Sequence, residues 1–536
     1  AGYAAHLADH PTDPVALNNA GALALQSGNI DLAVTRFEKL VSLAPTQAHA
    51  YNNLGYALLH AGRLSEAIGQ LERTVEIDPT YATAYNNLGI AYERDDRRSA
   101  AILAFERSLS LNPGYADAAA NLGEVLNRDD ETGRARAALQ RALASRPQHM
   151  GALVALAAAD GLDGHLKDAR ATLEALVPSR PRYSGFWQVL GSMRGWEGDF
   201  DAAERACRQA IALDPNDPLA RFGVASSLLA RGDYQRGWRA FEERREGVYG
   251  TRSRLGEFAL WNGDYLDGTL LVYCEQGLGD VVQFARFIVQ ARARVRRVIL
   301  LADVTWKCLE PVLTSLAGVD EIYTDRSNLP TLQDRPLART SVLSLPYLLG
   351  IDAEALPGVA FPYLVAPADH MKLWAARLRA VPRPRVGVAW AAAVRRDIKY
   401  LTRQKSIPIA KFAGLLGVPA IGFVSLQLGG VSDLSQLGDI AAHVVDFTSD
   451  IRDFGDTAAI ISQLDLIVST DTSVAHVAGA MGKPVWLVDR FNACWRWRLA
   501  DDTSPWYPTI RIFRQRQFAD WSDPLARVAA ELATLA

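Results

Sequence analysis

The sequence is poor in cysteine, has no marked excess of charge of either sign, and contains no long apolar run. Its 57 lysines and arginines stand against 60 aspartates and glutamates, so it lacks the electrostatic footprint of a protein that binds nucleic acid or an anionic membrane. No apolar run approaches the roughly eighteen residues that a membrane span needs, and the first residues lack the basic and apolar pattern of a signal peptide. We therefore expect a cytoplasmic protein with no nucleic-acid partner and no membrane span.

The cysteines exclude two further classes of protein. They are scattered along the chain, without the paired spacing of zinc ligands or of a disulfide framework, and this fits a reducing compartment. The 536 residues are too many for one ordinary domain and predict about three to four. The four cysteines are Cys207, Cys274, Cys308 and Cys494.

A repeat occupies the first half of the chain. Seven prolines stand at intervals of 34 residues, and this period indicates paired helices stacked in a solenoid. Proline has no amide to donate and disfavours helix in the residue before it, so each is expected to follow the second helix of a repeat. Small residues that let the helices approach, and larger apolar residues of the next layer, recur in the same phase. The prolines are Pro11, Pro45, Pro79, Pro113, Pro147, Pro181 and Pro215; the small residues include Gly21, Gly55, Gly89, Gly123 and Gly191; the larger ones are Phe37, Leu71, Phe105, Leu139, Leu173, Cys207 and Phe241.

These residues resemble the tetratricopeptide repeat family over roughly residues 1–251, in about seven repeats. The resemblance implies an α-solenoid whose concave groove holds an extended peptide, and therefore a protein-binding module. A passive spacer or an oligomerisation arm is the alternative.

Four asparagines, Asn19, Asn53, Asn87 and Asn121, recur at the same interval on the first helix of each repeat. Asparagine is a poor interior helix residue, so the recurrence predicts a use for its amide, namely binding a peptide backbone with little regard to side chains. A similar ladder lines the groove of O-GlcNAc transferases. The ladder stops after the fourth repeat, so peptide capture should favour the N-terminal half. The alternative is that these asparagines only bond between adjacent repeats.

After Arg252 the repeat register disappears and strands alternate with helices, which predicts parallel sheets with ligands gathered beyond the strands' carboxyl ends. The predicted fold class is therefore an α-solenoid followed by an α/β region. We place the repeats at residues 1–251, a linker at 252–267, one Rossmann-like domain at 268–383, a second at 384–518, and at 519–536 a C-terminal helix that packs back across the first Rossmann-like domain.

Two loops carry the candidate functional residues. Gln276-Gly277-Leu278-Gly279-Asp280 follows a predicted strand, and Asp280 either caps the next helix or faces a substrate. Asp471-Thr472-Ser473 follows another strand and begins a helix, whose amino end is a place for a phosphate or diphosphate. Capping is again the alternative. Lys405 closes the basic segment 395–405, and Gln427 stands at the end of a further strand.

Together with His476 and Gly482-Lys483-Pro484, these motifs resemble heptosyltransferase-type glycosyltransferases, above all the bacterial branch fused to tetratricopeptide repeats, over residues 268–518. The family implies a GT-B fold, in which two Rossmann-like domains face a cleft that binds a nucleotide-sugar, mainly through the second domain, without a catalytic metal. A metal-dependent GT-A enzyme would need an Asp-x-Asp just after a strand, and the sequence has no such triplet in that setting. No cofactor is implied besides the nucleotide-sugar itself, which is a co-substrate.

The resemblance implies a role for each matching residue. Asp280 is the base that deprotonates the acceptor in an inverting transfer, and the first domain is the acceptor side. Serine stands at Ser473 where many heptosyltransferases have glycine, which leaves the donor sugar open. The implied acceptor-loop residues are Gln276, Gly277 and Gly279, and the implied donor-binding residues are Lys405, Gln427, Asp471, Thr472, Ser473 and His476.

A peptide-binding array joined to a sugar transferase predicts transfer to serine or threonine hydroxyls of a protein, with flagellin the first bacterial candidate. Two alternatives stay open: transfer to lipopolysaccharide or another glycan, with the repeats as a tether, and a non-catalytic scaffold whose transferase domain has decayed.

Overall fold

The structure is a computed structural model. It describes residues 2–179, 181–246, 255, 258–329, 337–353, 355–356, 361–393, 399–429, 434–499 and 501–535. The predicted boundary at residue 251, most of the linker's first half and residues 395–398 of the basic segment lie outside these ranges. The chain divides into two compact units, residues 1–180 and 181–536.

The first unit consists of paired antiparallel helices. After α1, the helices α2 to α11 form five successive pairs, and in the first four pairs the second helix ends two residues before a proline of the 34-residue series. The helices are α1 (Gly2–Asp9), α2 (Pro14–Gln26), α3 (Ile30–Leu43), α4 (Ala48–His60), α5 (Leu64–Ile77), α6 (Ala82–Arg94), α7 (Arg98–Leu111), α8 (Ala116–Arg128), α9 (Thr132–Ser145), α10 (Met150–Leu162) and α11 (Leu166–Glu174).

The glycines of the repeat lie against the larger apolar series. A Cβ added to Gly21 would lie 2.6 Å from the Phe37 ring, and one added to Gly89 would lie 2.6 Å from the Phe105 ring. Such a separation is far below van der Waals contact, so only glycine lets the two helices of these repeats pack at this distance. The glycines therefore let the helices of a repeat approach closely, as predicted.

The second unit begins with two more helical pairs, α12 (Ser184–Trp196) with α13 (Phe200–Leu213) and α14 (Pro218–Ala230) with α15 (Tyr234–Phe241). An α/β region with two all-parallel sheets follows, as predicted. The elements of the first sheet region are β1 (Ala259–Leu260), β2 (Leu266–Tyr273), α16 (Leu278–Ala285), α17 (Ile288–Arg292), β3 (Val295–Leu301), α18 (Glu310–Leu313), β4 (Glu321–Tyr323), β5 (Leu337–Ser341), α19 (Leu345–Leu349) and α20 (Ala368–Arg377).

The first sheet has the strand order β1-β5-β2-β3-β4, with Leu270 paired to Val298 and to Ala338. The second has the order β11-β10-β9-β6-β7-β8. Its elements are β6 (Arg385–Ala389), α21 (Lys399–Lys405), α22 (Ile409–Leu416), β7 (Gly422–Ser425), β8 (Val444–Val445), α23 (Phe454–Ser462), β9 (Leu466–Ser469), α24 (Ser473–Ala480), β10 (Val485–Asp489), β11 (Ile510–Arg514) and α25 (Ser522–Leu532).

An aromatic cluster joins the last repeat helix to both sheet regions. The Trp238 ring on α15 lies 5.8 Å from Phe284 on α16, 5.6 Å from Trp495 and 6.0 Å from Trp506. The Trp238 indole nitrogen donates to the carbonyl of Ile351 at 2.8 Å, so the buried ring has its polar partner. Helices α14 and α15 thus share one hydrophobic core with the α/β region.

The C-terminal helix corrects one prediction. We expected it to pack back across the first Rossmann-like domain, but α25 packs on α22, β10 and β11 of the second sheet region. Its apolar side chains Leu525, Val528 and Leu532 join a core formed by strands and helices of that region.

No helix among the described residues is both long and apolar enough to cross a bilayer.

The glycine contact predicts the stability of a matched pair of variants. Gly89→Ala forces a methyl group into the Phe105 ring and should lower the free energy of unfolding by about 1–3 kcal/mol. Gly69→Ala, on α5 with no atom within 4 Å of the added Cβ, should be neutral or stabilising by about 0.5–1 kcal/mol because alanine is the better helix former. Urea unfolding followed by circular dichroism measures both, and equal effects of the two variants would contradict this packing.

Candidate functional site

The loop after β2 places Asp280 at the carboxyl end of the first sheet. Gln276 adopts a positive φ of 61°, and its carbonyl accepts from the Trp306 indole at 3.2 Å. The Asp280 Oδ2 atom accepts the Gly277 amide at 2.9 Å, which caps the start of α16. The capping role considered for Asp280 is therefore real, and it occupies one of the two carboxylate oxygens.

The other oxygen of Asp280 receives an arginine from the distant part of the chain. An Nη2 donor of Arg496 bonds to Oδ1 of Asp280, and Nε of Arg496 donates to Gln283 Oε1 at 2.8 Å. Arg496 is buried, and its guanidinium lies 4.4 Å from the Trp495 ring centroid. Burial alone would lower the pKa of Arg496, but the carboxylate of Asp280, the hydrogen bond to the Cys494 sulfur and the carboxylate of Asp471 raise it above its usual value.

A second ion pair lies at the carboxyl end of β9. Lys405, the last residue of α21, places Nζ 2.7 Å from Asp471 Oδ2, and His476 Nε2 lies 3.7 Å from Asp471 Oδ1. Burial would raise the pKa of Asp471, but Lys405 and His476 together hold it well below its usual range. Lys405 is 23% exposed, so it is not a freely solvated lysine.

The amino end of α24 lies beside this ion pair. Thr472 is the residue before the helix and Ser473 the first residue in it, and no side chain among the described residues caps its free amides. The Thr472 hydroxyl is instead 3.1 Å from the Ser469 hydroxyl. A cation and uncapped helix amides together favour an anion at this position.

His476 connects the two loops. It is buried on α24, with Nδ1 3.0 Å from the Tyr507 hydroxyl and its ring 5.3 Å from that of Trp497. A Cβ added to Gly279 would lie 2.6 Å from His476 Cδ2, so glycine is required for α16 to approach α24. The loop of Asp280 and the helix of Asp471 are therefore in direct contact, and His476 is a packed residue that also contacts the carboxylate of Asp471.

Gln427 corrects a second prediction. Its Oε1 accepts the amides of Trp390 and Ala391 at 2.9 and 2.7 Å, and its Nε2 donates to the carbonyls of Ala391 and Leu428 at 3.1 Å each. A glutamine amide accepts two and donates two hydrogen bonds, so none remains for a donor substrate. Gln427 supports the backbone at the end of β6.

Several residues of the site escaped the sequence analysis. Gln404 lies beside Lys405, and its Oε1 accepts from Arg490 at 3.3 Å and Asn492 at 3.1 Å. Four buried atoms near these loops have no hydrogen-bond partner among the described residues, which fits a polar ligand. The only sequence signal for Arg496 was its position between two tryptophans, which favour a stacked guanidinium. The four atoms are Gln276 Nε2, Gln404 Nε2, Thr470 Oγ1 and Arg490 Nε.

One group of possible metal ligands lies elsewhere in the α/β region. Atoms of His370, Asp453 and Asp456 lie within 4.8 Å of one another. Asp453 caps α23 through the amide of Gly455, and Asp456 accepts from the Trp374 indole at 2.9 Å. Helix capping and these bonds account for the two carboxylates without an ion.

Three of the four ladder asparagines in the first unit donate to the asparagine that stands beside the ladder position of the preceding repeat. Asn53 donates to Asn18 at 2.8 Å and Asn87 donates to Asn52 at 2.9 Å, each bond linking two adjacent repeats. Asn121 continues the series to Asn86 at 2.9 Å, whereas Asn19 donates to Tyr3. Asn87 is only 5% exposed and is therefore hidden from a groove ligand. These bonds between adjacent repeats match the alternative stated for the asparagines in the sequence analysis.

Comparison with known proteins identifies the repeats. The family model "Tetratricopeptide repeat" matches residues 18–82, 86–150 and 197–244. Tetratricopeptide repeats therefore occupy the chain up to about residue 250, as predicted, and such repeats typically bind proteins or peptides. Two similar solved structures are the MamA protein (22% identity, 38% of this chain and 92% of that one, TM-score 0.25) and Pseudomonas aeruginosa PilF (18%, 39%, 95% and 0.33).

Protein FlbA of Caulobacter vibrioides is 25% identical to this chain over 365 residues, covering 62% of this chain and 59% of FlbA. This chain thus spans about three-fifths of the length of that relative. Because 62% of the chain exceeds residues 1–251, the similarity extends beyond the repeats into the α/β region.

The Lys405–Asp471 pair predicts a pH-dependent stability. Lys405→Gln leaves a buried carboxylate without its main partner and should cost about 2–3 kcal/mol of unfolding free energy at neutral pH, allowing for the partial exposure of the lysine. The folded-state pKa of Asp471 is lowered, so the pair stabilises the protein fully above about pH 4, the unfolded value, and this stability is lost as pH falls further.

Urea unfolding at several pH values measures this effect. As a control, Lys405→Gln combined with Asp471→Asn should recover more than half of the loss, because no buried charge is then left unpaired. A Lys405→Gln protein as stable as the unchanged chain would show that the pair does not form.

Proposed function

We propose that this protein is a glycosyltransferase with a GT-B arrangement that transfers a sugar from a nucleotide-sugar to serine or threonine hydroxyls of a protein. The transfer is inverting and needs no metal. One observation supports the proposal most: the uncapped amino end of α24, with Lys405 beside it, lies against the loop that carries Asp280 through the contact between Gly279 and His476. The proposed anion-binding position therefore lies next to a carboxylate that can act as a base.

The donor diphosphate would lie at the amino end of α24. The free amides of its first turn, near Thr472 and Ser473, and the ammonium group of Lys405 would bind its oxygens. As the bond from the anomeric carbon to the phosphate oxygen breaks, its electron pair stays on the diphosphate, and these groups stabilise the growing charge. The unpartnered atoms of Gln404, Thr470 and Arg490 supply further polar contacts for the nucleotide-sugar.

Asp280 would remove the proton from the acceptor hydroxyl. Its side chain is 23% exposed, so an acceptor can reach it, while the Gly277 amide holds its orientation. The hydroxyl oxygen attacks the anomeric carbon from the face opposite the diphosphate, and the proton passes to the carboxylate. Attack from that face inverts the configuration at the anomeric carbon.

The repeats point to a protein acceptor. Tetratricopeptide repeats bind extended segments of other proteins, and here they share one chain with the proposed transferase region. We propose flagellin as the first acceptor to test, and a similarity in architecture to O-GlcNAc transferases supports a hydroxyl of a protein over a glycan. Asn53, Asn87 and Asn121 also link adjacent repeats, so recruitment would draw on other side chains of the repeats besides the asparagine ladder.

A non-catalytic scaffold is the second candidate function, and one observation favours it. Both carboxylates of the site, Asp280 and Asp471, already carry a cationic partner, as they would in a region retained only for its fold. Turnover of a nucleotide-sugar separates the two functions.

Asp280→Asn should retain binding of the donor and lose transfer by about two to four orders of magnitude, because the amide cannot accept the proton. Release of nucleoside diphosphate from a panel of nucleotide-sugars, with and without acceptor, measures both. Asp267→Asn, an exposed change on β2 outside the site, is the control and should keep full activity. If Asp280→Asn turns over at the rate of the control, Asp280 is not the base. If the unchanged chain turns over no donor, the non-catalytic scaffold is the better account.

A further inference from the structure

The guanidinium of Arg496 bonds to one loop of the site, and its neighbour along the chain contacts the other. Arg496 is bonded to Asp280 and Gln283 of α16, and the ring of Trp497 lies 5.3 Å from that of His476 on α24, which contacts Asp471. Trp495, the preceding residue, is fixed in the aromatic cluster by Trp238 and Trp506. The backbone of this turn is therefore held in place, while the long arginine side chain has rotatable bonds that let the guanidinium swing.

The charges of the site are balanced in pairs. Lys405 neutralises Asp471, and Arg496 neutralises Asp280. A buried cation is costly unless an anion accompanies it, so Arg496 can leave Asp280 only when another anion arrives within reach. A diphosphate at the amino end of α24 is such an anion, because α24 and the loop of Asp280 are in contact.

We propose that Arg496 restrains Asp280 while no donor is bound, and that the guanidinium moves to the donor diphosphate when it binds. This inference rests on the proposed function. Arg496 is then a positioning residue of the free protein that becomes a ligand of the leaving group. The base is freed at the moment the donor is in place, so the donor binds before the acceptor reacts.

The proposal also balances the charges during transfer. The acceptor's O–H bond breaks and its proton neutralises Asp280, which would strand Arg496 as an uncompensated buried cation if it stayed there. On the diphosphate, the same cation meets the electron pair released from the breaking sugar–phosphate bond. Asp280 thus loses its negative charge while the diphosphate gains one, and Arg496 moves from the first to the second.

Binding of inorganic pyrophosphate, the part common to all nucleoside diphosphate donors, tests this movement. Isothermal titration compares the full-length chain, Asp280→Asn, Arg496→Gln and the double variant. Removing Arg496 should weaken pyrophosphate binding about ten-fold when Asp280 is present. In the Asp280→Asn background the same change should weaken binding by a factor at least five times larger, because no carboxylate there competes for the guanidinium. Equal effects of removing Arg496 in the two backgrounds would show that Asp280 does not compete with pyrophosphate for the guanidinium, and the proposal is then wrong.

A crystal structure of the unchanged chain with pyrophosphate gives the same answer without a variant that could misfold. The expected result is the Arg496 guanidinium on a phosphate oxygen, with Oδ1 of Asp280 released. Pyrophosphate at α24 with Arg496 still on Asp280 would overturn the movement and leave the proposed function standing. Failure of pyrophosphate and of every nucleotide-sugar to bind would overturn both.

Discussion

The aromatic cluster around Trp238 is the constraint on which the candidate site depends. Its rings come from the last repeat helix, from α16 and from the segment after β10, so burial of one set of side chains holds three parts of the unit together. Trp495 belongs to the cluster and Arg496 follows it directly. The position of the arginine that bonds Asp280 is therefore set by packing about the last repeat, because core packing of large aromatic rings tolerates little displacement.

The electrostatic design of the site follows from burial. Lys405 pairs with Asp471 and Arg496 pairs with Asp280 where α16 meets α24, so each of the two carboxylates has a cationic partner. Such pairs are weak evidence for stability alone, since desolvation offsets much of their attraction. The pairs can nevertheless exchange partners, because an incoming diphosphate can replace a carboxylate as the partner of Lys405 or Arg496. The ion pairs thus satisfy the charged groups of the free protein, and the uncapped amides of α24 still offer a binding position for a diphosphate.

Local patterns predicted the repeats and most of the α/β order. The proline period and the glycine series are determined by contacts inside one repeat, so the sequence contains their full signal. Strands with several apolar residues in succession, such as β2 and β3, were predicted, whereas β5 and β11 escaped because neither has more than two apolar residues in succession. Asp471, Thr472, Ser473 and His476 could be proposed together because they lie within a single loop and helix.

Contacts between distant parts of the chain could not be predicted. Arg496 reaches Asp280 across 216 positions, and no spacing rule connects them. The use of Gln427 as a backbone brace and of Asn87 as a link between repeats also depended on neighbours brought together only by folding. For Asn87 the sequence indicated a use for the side-chain amide but not its partner, since an amide bonds backbone, side chain or ligand equally well.

The most direct test is the intact mass of a candidate protein acceptor, flagellin first, after incubation with this chain and a panel of nucleotide-sugars. A glycosyltransferase acting on protein should add the mass of one or more sugar residues to the acceptor with a particular donor, and the added mass should vanish on β-elimination of serine- and threonine-linked sugars. Protein glycosylation would be contradicted if the mass of the acceptor stays unchanged with every donor. In that case the same mixtures would either modify a lipopolysaccharide or turn over no nucleotide-sugar.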